Sequence, residues 1–249
     1  MDWDAPAIVL DARPYGEGDA VATVMTAAHG AHRGLARGGM ARAGTATWQP
    51  GNLVQVRWVA RLAEQLGSFS AELVHPGAAL AMDDALALAV LSAACAVAEG
   101  ALPEREPHPR VFEGLLHLIA HLSQGPTSLT DLVRWETLLL AELGYGLDLS
   151  RCAVTGETAG LAYVSPKTGR AVTTAAAGDW VARLLPLPEF LTGGADATPR
   201  DWRDGLRLTG HFLERDAFGH HHRPLPAARR MLYERVAALA ADSEQQDAG

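Results

Sequence analysis

Lysine is nearly missing from this 249-residue chain, where Lys167 stands alone beside twenty arginines. A phosphate-cradling P-loop needs glycine directly ahead of its lysine, and Lys167 follows Pro166, so nucleotide hydrolysis by that motif is excluded. No G-x-G-x-x-G follows a strand pattern and no G-x-S-x-G elbow occurs, which removes the usual signals for dinucleotide binding and serine hydrolysis. Cysteine is scarce too. Cys95 and Cys152 are the only two, and neither lies beside a histidine. That usage offers no disulfide framework and suits a reducing cytoplasm. Long apolar runs are also lacking: the longest, Ala85 to Ala98, spans 14 residues between Asp84 and Glu99, short of the roughly 18 needed to cross a bilayer. The opening Met1-Asp2-Trp3-Asp4 is acidic where a secretory leader would be basic, so neither export nor membrane insertion is expected.

A basic surplus is missing as well. The net charge is −8, which argues against a protein that simply coats nucleic acid. The acidity is uneven, however. Residues 1–76 hold six arginines (Arg13, Arg33, Arg37, Arg42, Arg57 and Arg61) against seven acids, so nearly all of the negative surplus lies further on. The preference for arginine over lysine accompanies abundant alanine and reflects codon composition more than selection for phosphate contacts.

What is present is a composition of 48% hydrophobic and 20% charged residues, that of a soluble globular protein of one large or two small domains. A break falls near His75-Pro76-Gly77. Ahead of it, side chains alternate with a period of two through Ile8–Arg13, Val21–Met25, Val54–Trp58 and Ser68–Leu73, with a further strand about Arg33–Arg37. Five short strands in residues 1–76 predict a small closed barrel of the OB type, although an SH3-like barrel would give a similar pattern. Beyond the break the period becomes helical. Helices are predicted over Ala79–Ala98, from Pro109 through Leu122, and over Ser128–Leu143, then over Pro199–Phe218 and Pro226–Ala241. Asp148–Gly178 reads as an irregular insert with a short hairpin, and Asp242–Gly249 as a frayed tail. The predicted class is α+β: an amino-terminal five-stranded OB barrel, then a helical domain over 77–241 carrying that insert.

Few residues suggest chemistry. His117 and His121 stand at i and i+4, a spacing that suits one metal ion, but Leu118 occupies the place of the glutamate in H-E-x-x-H. A plain helical surface explains them. Consecutive His220, His221 and His222 point apart and read as a solvated turn, while His29 and His32 flank a turn whose backbone can bond them. The barrel arginines are more suggestive. Alternation puts Arg33 and Arg37 on one strand face, Arg57 and Arg61 share another, and Arg42 falls in a glycine-rich loop from Gly38 to Gly44. Together they can line a groove tracking a phosphate backbone, with Trp48 available for base stacking. A merely solvated surface accounts for the same spacing.

Longer words in the chain point to a family. The run Arg134-Trp135-Glu136-Thr137-Leu138-Leu139-Leu140-Ala141-Glu142-Leu143-Gly144-Tyr145-Gly146 and onward to Cys152 resembles the central signature of the bacterial recombination and repair family RecO. Arg33–Gly39, Trp48–Gly51, Tyr163–Val172 and Leu184–Pro188 are similar to the same family, in order along nearly the whole chain. The resemblance implies an OB domain joined to a helical domain, with no catalytic turnover and no cofactor. It implies binding of single- and double-stranded DNA, annealing of complementary strands, and association with RecR. It further implies help for RecA in replacing single-stranded DNA-binding protein (SSB), and a cytoplasmic, nucleoid-associated location. Mapped by position, Arg33, Arg37 and Arg42 fall in the family's DNA-binding strand and loop. Arg134 falls in its pocket for the acidic carboxyl-terminal tail of SSB, where a guanidinium can donate two parallel hydrogen bonds to a carboxylate. An ion pair with Asp131, worth roughly 0.3 kcal/mol, is the plainer role for that arginine.

This chain also departs from the family. Some relatives bind zinc through two C-x-x-C pairs, whereas Cys152 here has Thr155 at the partner position, so no zinc is expected. The loop Met40-Ala41-Arg42-Ala43 carries little charge, and His222–Arg230 resembles the family's carboxyl-terminal basic turn only loosely. The acidic net charge of −8 keeps a second reading open, an interaction adaptor that reaches DNA only through RecR and SSB.

Overall fold

The computed structural model describes residues 1–122, 125, 127–194 and 197–247. They form two compact units, Met1–Ser128 and Leu129–Gly249. In the first, strands β1 (Asp2–Tyr15), β2 (Asp19–Thr26), β3 (Gly30–Ala36), β4 (Leu53–Val59) and β5 (Ser68–His75) close into a barrel of order β1-β2-β3-β5-β4. Every pairing is antiparallel except β3 with β5, and β4 returns to β1 through Asp2↔Val59 to Ile8↔Leu53. Closure leaves the predicted alternation visible, with Val54, Val56 and Trp58 inside and Arg57 outside. Ala7, Val9, Ala22, Val24, Val56, Trp58 and Phe69 fill the interior.

A short helix α1 (Arg42–Thr47) bridges β3 and β4. Asn52, almost fully buried, ties this corner together: its Nδ2 donates to the carbonyls of Ala46 and Thr47, and its Oδ1 accepts from the amide of Ala78. The apolar run predicted as one helix from Ala79 is interrupted. It forms α2 (Gly77–Ala81) and α3 (Ala85–Ala101), because Asp84 turns extended and its carboxylate caps the amides of Leu86 at 2.7 Å and Ala87 at 3.3 Å. Helix α3 packs on β1, and α4 (Pro109–His121) follows. The compact unit therefore extends past the barrel to Ser128.

The second unit holds most of α5 (Thr127–Glu142), then a sheet of β6 (Leu161–Val164), β7 (Ala171–Thr173) and β8 (Leu185–Pro186), the short α6 (Thr174–Ala177), α7 (Pro199–Phe212) and α8 (Ala227–Asp247). The predicted hairpin in the insert is β6–β7, and β8 adds to its other edge. Helix α7 passes into a π-helical turn over Leu213–Phe218. Where a frayed tail is predicted from Asp242, α8 continues helical through Asp247. Among the described residues no helix is long and apolar enough to cross a membrane.

Candidate nucleic-acid interface

Strand alternation places Arg13, Arg33 and Arg57 on the outer surface of the barrel, and each already has a carboxylate. The Nε of Arg33 lies 3.0 Å from Glu104, and its Nη2 lies 3.5 Å from Glu99. Arg13 meets Asp11 at 2.6 Å and shares Glu99 at 3.5 Å, while Arg57 meets Asp2 at 3.0 Å. Arg37, Arg42 and Arg61 differ. All three are exposed, and none has an ion-pair or hydrogen-bond partner among the described residues. The division follows position: the paired arginines lie within strands, while the free ones lie beyond strand ends.

Two expectations about these residues need correction. Arg37 does not share a strand with Arg33, because β3 ends at Ala36; likewise β4 ends at Val59, so Arg61 lies in the turn beyond it. Arg37 follows the Ala36↔Phe69 pair by one residue, and Arg57 pairs with Ser70, so the two positions flank Ser70 of β5. Nor is the Gly38–Gly44 segment a loose loop. The Gly38 amide donates to Asp19 at 2.7 Å and the Met40 amide to the Gly18 carbonyl at 3.0 Å. Arg42 then opens α1. Gly38 takes a φ of +64°, and a Cβ on Gly44 would lie 2.2 Å from the Gly38 carbonyl oxygen, so the corner closes only with glycine at both places. The result is an ordered corner that presents two uncompensated guanidiniums, Arg37 and Arg42.

Trp48 is not a stacking platform. It is 6% exposed, lies in the barrel core and packs its ring 5.9 Å from that of Phe69, because the chain leaving α1 turns inward to close the barrel end. His32 also departs from expectation. It is 5% exposed, neither ring nitrogen finds a hydrogen bond, and its ring meets the edges of Trp58 at 4.7 Å and Trp3 at 5.2 Å. Burial pushes its pKa down to about 4, helped by the charges of Arg105 and His29. His29 stacks on Trp3 at 4.4 Å. His117 and His121 stack at 4.0 Å with the His121 Nδ1 against the His117 carbonyl, and no group of three metal-ligating side chains occurs among the described residues.

In the second unit Arg134 stands exposed on α5. Its Nη1 lies 3.8 Å from Asp131, its Nη2 donates to the Phe190 carbonyl at 3.2 Å, and its guanidinium sits 5.9 Å from the Phe190 ring centre. Both the Asp131 pair read from spacing and an aromatic neighbour are therefore present. The adjoining Glu136 is fully buried and accepts from the equally buried Arg229 through Nε and Nη2, the latter at 2.9 Å. Thr209 donates to the same carboxylate, and Arg229 Nη2 reaches the Leu206 carbonyl at 2.8 Å. A buried charge needs such a complete shell of partners. Sequence reasoning missed this role of Arg229, and only the surrounding apolar spacing of α8 could have hinted that it faces inward. The Cys152 Sγ accepts from the amides of Thr155 at 3.5 Å and Thr173 at 3.4 Å. The hydrogen bonds of Thr155 are the chief cause that holds its thiol down, at about 6.

The comparisons with known proteins agree along the chain. Residues 1–76 match the family described as recombination protein O N terminal, and residues 82–224 match recombination protein O C terminal. The DNA repair protein RecO of Granulibacter bethesdensis is 61% identical over 242 residues, covering 96% of this chain and 97% of the relative. Its counterpart in Gluconacetobacter diazotrophicus is 57% identical over 245 residues, covering 96% of each, and that of Rhodospirillum rubrum is 47% identical over 244 residues, covering 95% and 96%. With both domain families matched in order along the chain and relatives of up to 61% identity covering nearly all of it, the chain belongs to the RecO family.

Proposed function

We propose that this protein is a DNA repair and recombination mediator that works by binding and without catalytic turnover. Its barrel takes single- and double-stranded DNA at the corner where β3 passes into α1, through Arg37 and Arg42, with Arg61 beyond β4 as a further phosphate contact. Complementary strands held there anneal. With RecR, the protein helps RecA onto DNA coated by SSB, whose terminal carboxylate is received by Arg134. The observation that carries this reading is the ordered corner with uncompensated arginines on an otherwise acidic protein. Displacing a bound protein without nucleotide hydrolysis needs linked contacts, so that holding both DNA and the SSB tail offsets the loss of either.

The test is fluorescence anisotropy of labelled oligothymidylate at several salt concentrations. Each phosphate contact to a single strand contributes about 0.7 to the slope of log K against log salt, so Arg37→Ala with Arg42→Ala should lower that slope by about 1.4. An unchanged slope overturns the corner as the DNA site. The adaptor reading is favoured by one observation: Arg13, Arg33 and Arg57 are already neutralised by carboxylates. Under it the wild-type protein does not bind naked DNA, yet associates with SSB-coated DNA and loses that association on Arg134→Ala.

A further inference from the structure

The carboxylates that hold Arg33 are not casual surface partners. Gly30, at the start of β3, has a φ of +63°, and a Cβ there would lie 2.0 Å from the carbonyl oxygen of Glu106, so the segment after α3 lies directly against this strand. Ala31 and Glu104 form a parallel bridge, and the Arg105 amide donates to the Ala31 carbonyl at 2.7 Å. Arg105 adopts a φ of 62°, a left-handed conformation that a non-glycine residue holds only when its surroundings impose it. Its guanidinium reaches across to the turn between β4 and β5 and donates to the carbonyls of Ala63 and Gln65, the latter at 3.0 Å. Arg105 is thus a staple, and what it staples in place is Glu104, 3.0 Å from Arg33. From the other side Glu99 on α3, with its side chain 10% exposed, lies 3.5 Å from both Arg33 and Arg13.

We propose that Glu104 and Glu99 form a built-in acidic mask over the barrel, an internal competitor that occupies Arg33 until a phosphate displaces it. The inference rests on the DNA-binding reading above and deepens it. The outer face of the barrel then has two classes of site, Arg37 and Arg42 open at all times, and Arg33 opened only by exchange of carboxylate for phosphate. Such an exchange suits a mediator that must release strands as well as hold them, because the competing carboxylates stay attached and return whenever a phosphate leaves. It also reconciles a net charge of −8 with a set of barrel arginines: part of the acidity is aimed at the arginines themselves.

The experiment compares wild type, Glu104→Gln, Glu99→Gln with Glu104→Gln, and each of these combined with Arg33→Ala, by anisotropy of labelled oligothymidylate across a salt series. Circular dichroism melting confirms that the variants are folded. Glu104→Gln keeps the side-chain shape and removes the charge. The expected result is about fivefold tighter binding at 0.1 M salt and a salt slope steeper by about 0.7, the signature of one added phosphate contact, with both changes abolished by Arg33→Ala. Unchanged affinity, or a gain that persists without Arg33, overturns the mask. If the mask fails while Arg37→Ala with Arg42→Ala still weakens binding, the corner site stands alone. If neither wild type nor Glu104→Gln binds, the direct DNA-binding reading falls with the mask.

Discussion

Acid should weaken the barrel through one side chain, His32. In the folded protein its pKa is pushed from 6.5 down to about 4 by burial among Trp3, Trp58 and Phe69, with Arg105 and His29 adding repulsion. The unfolded chain therefore takes up a proton that the native state refuses. Stability is complete above pH 6.5, falls by about 1.4 kcal/mol per pH unit below it, and has lost about 3 kcal/mol at pH 4. Protonation there would place a cation with no acceptor on either ring nitrogen in an aromatic nest. The assay is urea unfolding followed by tryptophan fluorescence between pH 4 and 8, in wild type and His32→Leu. The leucine has similar bulk and no proton to gain. Subtracting the variant's pH dependence removes the contribution of every other titrating group. Parallel loss of stability in the two proteins, or an imidazole resonance of His32 titrating near 6.5, would refute the reasoning.

Two further outcomes follow from the packing. Trp48→Phe should leave DNA affinity and its salt slope as in wild type, because the ring lies in the core, whereas Trp48→Ala should cost about 3–5 kcal/mol in urea unfolding of the first unit. Arg229→Met should destabilise the second unit by about 3–5 kcal/mol, since it leaves the Glu136 carboxylate buried and unpaired, and the thermal midpoint of Glu136→Leu with Arg229→Met should recover most of the loss.

Much of the fold was legible because it rests on short-range periodicity. The alternation through Val54–Trp58 marks a strand with one buried face, and the closed barrel buries that face. The spacing of Leu129, Leu132, Val133, Leu139 and Leu140 marks the buried side of α5. Boundaries were less legible where one side chain decided them. Asp84 reads as one of two acids before an apolar run, yet its carboxylate caps α3 and so splits the predicted helix in two. The candidate site was legible as a set of arginines, and not as a division between paired and free ones, because the partners of Arg33 lie 66 and 71 positions along the chain. Trp48 and His32 misled for a related reason. No neighbouring residue marks either one as buried, and only the closing of the barrel end puts them inside.

The sequence by itself determined where strands give way to helices, the lack of a P-loop motif, and membership of a family, since each of these is carried by neighbouring residues or by words read in order. The tertiary structure alone decided which charges far apart in the chain are spent on one another. Glu136 finds Arg229 across 93 residues, and Glu99 gathers Arg13 and Arg33 from two strands. Such long-range pairing depends on distances of a few ångströms between atoms that chain folding, and no local pattern, brings together. Identical arginines in one compact unit therefore become a staple at Arg105, a masked position at Arg33 and an open corner at Arg37 and Arg42.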